Sequence, residues 1–336
     1  MVSGIGGTMA LVHGGRLHAA CEHYGGSPDE WLDLSTGIAP WTYPLSAVPE
    51  SVWQRLPEDH DGLELCASHY YQVDESQLLP IAGSQWAIEQ IPRLYAKPLD
   101  VAILVNGYAE HPAAWQAAGH QVVFVDDMAT LLATATQYDA AVIIQPHNPL
   151  GIIATLSQLT ALKNMLKQGI LVLDEAFADS ANHPTLPLSP HTWRLKSVGK
   201  FFGLAGIRLG FVLAIETHIE QLAKQQSPWS VSHVARWAGA QAFADRLWQD
   251  QQRLRLSEQR QRLERLLTHM TLSLLASTDY FVTITHPQSE SLFHSALAHR
   301  ILLRHFPAFN GIRFGFPKTE GDWFKLEKWL IVAARL

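Results

Sequence analysis

Leu171-Val172-Leu173-Asp174-Glu175-Ala176-Phe177 is a short apolar run that ends in two carboxylates. Unbroken apolar runs of this length read as strands buried on both faces, and their carboxyl ends are where α/β sheets place ligands. The run belongs to residues 170–174, and similar runs lie at 78–82, 101–105, 121–125, 140–145 and 209–215. Helix-length segments separate most of them, at 85–95, 111–118, 128–135 and 156–168. The alternation predicts an α/β fold, with a mainly parallel central sheet covered by helices.

The flanks read differently. Residues 1–60 are rich in Gly, Pro and aromatic residues and predict an irregular arm with one short helix near 16–24. Residues 234–270 are helical in pattern and carry Arg253, Arg255, Arg260, Arg262 and Arg265. Leu254, Leu263 and Leu267 recur on helical spacing and Glu258 and Glu264 interleave the basic face, which predicts a solvated helix rather than a nucleic-acid contact. It bridges into a smaller α+β domain with strands near 280–285 and 311–316 and a last helix from Asp322. The expected division is an arm at 1–39 that joins the small domain, a large domain at 40–235, and the bridging helix with the small domain at 236–336.

Composition narrows the class. Of 336 residues, 47% are hydrophobic and 17% charged, too apolar for a disordered chain. The net charge of −6 argues against a nucleic-acid partner. Two cysteines, Cys21 and Cys66, make neither a disulfide framework nor a cysteine-based metal site, and no metal is expected. No apolar run approaches the ~20 residues of a membrane helix. The first residues lack the pattern of a signal peptide, so a cytoplasmic protein without membrane attachment is expected.

The chemistry concentrates in Lys196-Ser197-Val198-Gly199-Lys200-Phe201-Phe202-Gly203-Leu204-Ala205-Gly206-Ile207-Arg208-Leu209-Gly210. Ser197-x-x-Lys200 matches one motif of the penicillin-interacting serine enzymes, but their companion strings S-D-N and K-T-G are absent. Among Phe201, Phe202 and Leu204, desolvation disfavours a lysine's charge, and such an amine suits Schiff-base formation. Ser197 and Arg208 are placed to grip an anion. Asp174 is suited to pair with a protonated pyridine nitrogen, the group a pyridoxal-phosphate site requires. Asn148, in Gln145-Pro146-His147-Asn148-Pro149-Leu150-Gly151, is within reach of a ring oxygen from its own strand end. Gly83-Ser84-Gln85 opens a helix whose N–H groups suit a phosphate, and Tyr108 offers a ring to stack on a flat cofactor. Alone, each has a plainer reading as a turn, a helix start or a loop rim; together, in one order, they carry weight.

That order resembles the fold-type I pyridoxal-phosphate enzymes, which include the aspartate and histidinol-phosphate aminotransferases, over nearly the whole chain. The resemblance implies pyridoxal 5'-phosphate as cofactor and catalytic roles for Lys200, Asp174 and Tyr108. Lys200 would bind the cofactor covalently, Asp174 hold the ring nitrogen, Asn148 bond the ring hydroxyl and Tyr108 stack on the ring. Ser84, Gln85, Ser197 and Arg208 would hold the cofactor phosphate. His13-Gly14-Gly15-Arg16-Leu17, Trp31-Leu32-Asp33-Leu34-Ser35-Thr36-Gly37-Ile38-Ala39-Pro40 and Pro228-Trp229-Ser230-Val231-Ser232 are similar to the threonine-phosphate decarboxylases of cobalamin biosynthesis. Members of that family release carbon dioxide from L-threonine O-3-phosphate and form (R)-1-amino-2-propanol O-2-phosphate. The resemblance then implies that Arg313 and Asn148 meet the substrate carboxylate, while His13, the Gly14 backbone and Arg304 meet its phosphate. It also implies a homodimer.

Several positions depart from the family pattern. Gly37 stands where one form has Asn, so only its backbone could serve the substrate. Phe177 replaces the Tyr of many aminotransferases, Asn106-Gly107 a Pro-Thr, and Lys196 an Arg. Leu56-Pro57 stands where some relatives send a Tyr into the neighbouring subunit, with Tyr70 as a candidate substitute. A histidinol-phosphate-type aminotransferase is the alternative reading.

Overall fold

The structure is a computed structural model that describes residues 14–333; His13 lies outside the described residues. After a two-residue strand β1 (Leu32–Asp33), the chain lays down β2 (Leu78–Ile81), β3 (Asp100–Leu104), β4 (Gln121–Val125) and β5 (Ala140–Ile144). Next come β6 (Ile170–Asp174), β7 (Thr192–Ser197) and β8 (Gly210–Leu213), and the seven strands from β2 onward form one sheet in the order β2-β8-β7-β6-β5-β3-β4. All neighbours from β7 to β4 run parallel, whereas β8 is antiparallel to both β2 and β7. The α/β, mainly parallel expectation therefore holds. β5 and β6 are buried at every residue, which is why their sequences are continuously apolar rather than alternating.

Strand β7, Thr192-Trp193-Arg194-Leu195-Lys196-Ser197, was not among the expected strands. Its Arg194 and Lys196 share one face at the two-residue period of a strand and lie buried. Glu175, just past the end of the neighbouring β6, neutralises both: its carboxylate is 3.0 Å from Arg194 Nε and 3.0 Å from Lys196 Nζ. The helical pattern at 234–270 is two helices, His233–Ala244 and Arg246–His269, because Asp245 interrupts it and caps the second through Trp248 N at 3.0 Å. Leu254 is 67% exposed; Leu256, Leu263 and Leu267 form the buried stripe instead. The basic face is tied to carboxylates, Arg253 to Asp250, Arg260 to Asp279 and Arg262 to Glu320.

A second sheet, β12-β13-β10-β9, is built from β9 (Ser273–Ser277), β10 (Val282–Thr285), β12 (Arg304–Phe306) and β13 (Gly311–Phe314). The short β11 (Ile301–Leu302) pairs in parallel with β1, which draws the N-terminal arm onto the C-terminal part. The helix expected in the arm is Leu17–Tyr24, and the last helix is Glu320–Ala333. One apolar cluster joins both parts: Phe201, Phe202 and Phe211 of the lysine segment and large sheet share it with Phe281, Ile284, Phe314 and Trp323. The lysine stretch is thereby anchored between the sheets. Tyr70 packs within this chain, its ring 5.7 Å from Phe202 and 4.9 Å from Phe243.

Candidate active site

The polar residues gather at the carboxyl ends of the parallel strands. Asp174 closes β6; its Oδ1 accepts a bond from Ala176 N at 3.1 Å and its Oδ2 lies 2.8 Å from His111 Nε2. His111 is 1% exposed in the helix Glu110–Ala117 that follows β3, so the imidazole pins the carboxylate from behind. Beyond β7, the single turn Val198–Phe201 raises Lys200, whose Nζ stands 5.1 Å from the centre of the Phe177 ring. Burial lowers the Lys200 amine from its ordinary value to about 8, with Arg313's charge acting in the same direction and Asp174 opposing it.

The end of the site at Gly83 and Arg208 has its own geometry. Gly83, at φ +80°, leads into the helix Ser84–Gln90, and a Cβ there would lie 2.6 Å from Arg208 Nη2. The positive φ favours glycine there, and its missing Cβ leaves room for the guanidinium to lie against the turn. Tyr108 Oη donates to Gln85 Oε1 at 3.2 Å, and burial first, then nearby carboxylates, pushes the phenol up to about 12. Ser84, Gln85, Tyr108, Asn148, Asp174, Ser197, Lys200 and Arg208 all line one cavity of about 140 Å³, together with Phe177. The eight residues expected to bind a cofactor are thus brought together.

A second cleft of about 440 Å³ shares Tyr108, Asn148, Phe177, Lys200 and Arg208 with that cavity and adds Gly14, Gly37, Arg304 and Arg313. Arg304 and Arg313 are directly opposite in the β12/β13 register. Like charges so placed repel, and an anion between them offsets the repulsion. Arg313 is buried; its Nη1 donates to Asn148 Oδ1 and its Nη2 to the Ser35 carbonyl at 2.6 Å. Its Nε has no partner among the described residues, a buried donor left for a ligand. Gly37 lies against Phe177: a Cβ there would come within 2.8 Å of the ring, so the glycine at 37 and the phenylalanine at 177 are one joint solution.

Behind the cavity, the Glu175 carboxylate also takes the Thr185 hydroxyl, and Lys196 Nζ lies 3.7 Å from Asp179. Burial alone would raise Glu175, but Lys196 and Arg194 outweigh it and hold the carboxyl below its ordinary range. Removing one charge from such a buried cluster leaves the others unpaired. Glu175→Gln is expected to lower unfolding free energy by about 3–5 kcal/mol, measured as a shift in denaturation midpoint. Lys196 therefore serves this cluster.

His111, Phe177 and Ser35 were not expected to have roles at the site. A histidine three residues after Tyr108 was the available signal for His111; Ser35 reaches Arg313 through its carbonyl, which no side-chain pattern reveals. His120 is structural: Nδ1 accepts from Leu99 N at 3.2 Å, so Nε2 donates to the Pro92 carbonyl at 2.8 Å.

An α/β sheet with a desolvated lysine, a pinned aspartate and a polar cavity at its strand ends defines a lysine-centred enzyme of the aminotransferase type. Residues 56–320 match the family model for aminotransferase class I and II, and the chain belongs to that family. It is 40% identical to a threonine-phosphate decarboxylase of Pseudomonas aeruginosa, covering 96% of this chain and 97% of that one. It is 35% identical to a threonine-phosphate decarboxylase of a Sinorhizobium species, over 93% and 95% of the two chains. The solved histidinol-phosphate aminotransferase of Sinorhizobium meliloti, in complex with pyridoxal-5'-phosphate, shares the fold at a TM-score of 0.82 and 20% identity, over 99% of both chains.

Proposed function

We propose that this protein is a pyridoxal-phosphate-dependent lyase that decarboxylates L-threonine O-3-phosphate to (R)-1-amino-2-propanol O-2-phosphate and carbon dioxide. The observation that carries the reading is the joining of two sites: a cavity with lysine, aspartate and phosphate grips opens into a cleft with two facing arginines. A substrate with an anion at each end suits that cleft. Near-full-length identity to two threonine-phosphate decarboxylases supports the same substrate.

The residues present fit pyridoxal phosphate. The Gly83 turn admits the Arg208 guanidinium, and Lys200, at about 8, has a larger neutral fraction near pH 7 than an exposed lysine. Lys200 would attach the cofactor, Ser84, Gln85, Ser197 and Arg208 would hold its phosphate, and Tyr108 would cover the ring. When bound, the cofactor supplies a conjugated ring that takes up the electron pair of the bond broken at Cα. Asp174, pinned by His111, would hold the pyridine nitrogen in its protonated form. Asn148 gives its oxygen to Arg313, which leaves its NH2 group for the ring oxygen. Arg313 selects the bond to be broken by holding the carboxylate, and Arg304, Gly14 and the neighbouring arm receive the substrate phosphate. Lys200 then delivers a proton to Cα.

The finer assignments belong to the same reading. The chain acts in the cytoplasm in cobalamin biosynthesis. It works as a homodimer, supported by exposed Trp53, Leu56 and Trp229 near a groove of about 520 Å³ that Pro57 and Trp229 line. The arm at 1–39 works with the small domain, supported by the β1–β11 pairing, with the large domain at 40–235 and the remainder at 236–336. Stoichiometric carbon dioxide from carboxyl-labelled L-threonine O-3-phosphate, without any 2-oxo acid, is the expected result for the cofactor-loaded protein. No release, with glutamate formed when L-histidinol phosphate passes its amino group to 2-oxoglutarate, would instead mark a histidinol-phosphate aminotransferase.

A further inference from the structure

The geometry points to Ser35, oriented by Asp33, as a positioning residue that ties the N-terminal arm to Arg313, so that the two ends of the substrate are gripped as one unit. The inference rests on the proposed reading in which the arm meets the phosphate and Arg313 the carboxylate. The segment 33–35 is bonded at once to the chain just before β12, at Leu302, and to the chain just after β13, at Gly315. Asp33 is in register with Leu302, Leu34 N donates to the Leu302 carbonyl at 2.8 Å, and Gly315 N donates to the Leu34 carbonyl at 2.8 Å. Any shift of this segment is therefore felt on the Arg304 side and on the Arg313 side together.

Ser35 is 2% exposed and makes contacts in three directions. Its carbonyl receives Arg313 Nη2 at 2.6 Å. Its hydroxyl donates to Asp33 Oδ1 at 2.6 Å and accepts from Gly15 N at 2.8 Å. Its own N–H donates to the same Asp33 oxygen at 2.8 Å. With the hydroxyl proton committed to Asp33, the lone pairs are turned toward Gly15, so Asp33 fixes the direction in which Ser35 can hold the arm. The approach is close: a Cβ on Gly14 would lie 2.4 Å from the Ser35 carbonyl oxygen, which is why the arm reads Gly14-Gly15 here. One residue thus holds the backbone beside the phosphate end and the guanidinium at the carboxylate end. Neither contact touches the reacting atoms.

Three variants and two readouts test the tie on the cofactor-loaded protein. Ser35→Ala removes the hydroxyl and keeps the carbonyl; Asp33→Ala removes the orienting oxygen; Asp33→Asn keeps that oxygen and removes the charge. Amide hydrogen exchange at Gly15 reads the tie directly, without turnover. Calorimetric affinities for inorganic phosphate and for L-threonine, which lacks the phosphate, read the two ends separately. Ser35→Ala is expected to speed Gly15 exchange by about tenfold or more, the size of one lost hydrogen bond, and to weaken both ligands together. It should raise KM while kcat changes by less than about threefold, with the cofactor absorbance unchanged. Asp33→Ala should follow it, and Asp33→Asn should stay near the parent in exchange. Unchanged Gly15 exchange in Ser35→Ala, or weakening of phosphate with L-threonine unaffected, overturns the coupling. A parent enzyme that releases no carbon dioxide would sink the proposed function, while the exchange result would still decide whether Ser35 holds the arm.

Discussion

Lys200→Met is expected to lower carbon dioxide release from L-threonine O-3-phosphate by at least about 10⁴-fold, the upper range for loss of one positioned proton-transfer group. Lys200 would serve twice, as the attachment point for the cofactor and as the proton donor to Cα, and methionine can do neither. The same substitution makes a second, opposite prediction about stability. The amine is held at about 8 against an ordinary 10.5, chiefly by burial and then by Arg313. Its charged form is therefore disfavoured in the folded state, by about 3 kcal/mol below pH 8, where folded and unfolded chains are both protonated. Between about pH 8 and 10.5 the folded amine is already neutral while the unfolded one is still charged, so the penalty shrinks and then vanishes. Cofactor-free Lys200→Met should accordingly be more stable than the parent below pH 8, with the two converging near pH 10.5. Urea denaturation at pH 7 and pH 10.5 measures this, and a gain that is the same at both would sink the electrostatic account. A residue that costs stability and carries the reaction is the usual mark of a functional site.

The fold was readable where burial made the sequence monotonous. β5 and β6 are apolar throughout because both faces are covered, and their ends are marked by the first polar residues, Gln145 and Asp174. β7 was unreadable for the same physical reason turned around. Arg194 and Lys196 look like surface residues until Glu175, some twenty positions earlier, is seen to neutralise them inside the protein. Sequence periodicity carries no record of a long-range ion pair. The break at Asp245 was also missed, since a helix cap inside a helical pattern changes one residue and not the period.

The site divided along a similar line. Lys200, Asp174, Asn148 and Tyr108 announce themselves because side-chain chemistry stands at strand ends. The groups that orient them do not. His111 acts on Asp174 from a different strand's helix, and Ser35 acts on Arg313 through a carbonyl oxygen that every residue possesses. Gly37 was expected to serve only through its backbone, and the Phe177 ring explains why no side chain fits there.

Arg313→Gln is expected to lower kcat/KM for L-threonine O-3-phosphate by about 30- to 5000-fold, since breaking a desolvated charge pair costs about 2–5 kcal/mol. The guanidinium is committed at two corners, to Asn148 and to the Ser35 carbonyl, which fixes its plane beside the cleft that it lines. Burial and the charge of Arg304 both disfavour its cation, while Asp33 supports it. A bound carboxylate relieves that repulsion, which makes anion binding stronger than an exposed arginine would give. Arg313→Lys keeps a charge but loses the planar fork, and cannot reach Asn148, Ser35 and a carboxylate at once; it should recover less than about a tenth of the parent value. Product analysis separates grip from orientation. If Arg313 only adds affinity, saturating substrate restores the parent rate and the parent product. If it also chooses the bond that breaks, Arg313→Lys at saturation still has a reduced kcat, and a larger share of turnovers ends in loss of the Cα proton in place of carbon dioxide. That partition, measured as solvent deuterium entering recovered substrate against carbon dioxide released, is the expected signature of a decarboxylase built on an aminotransferase frame.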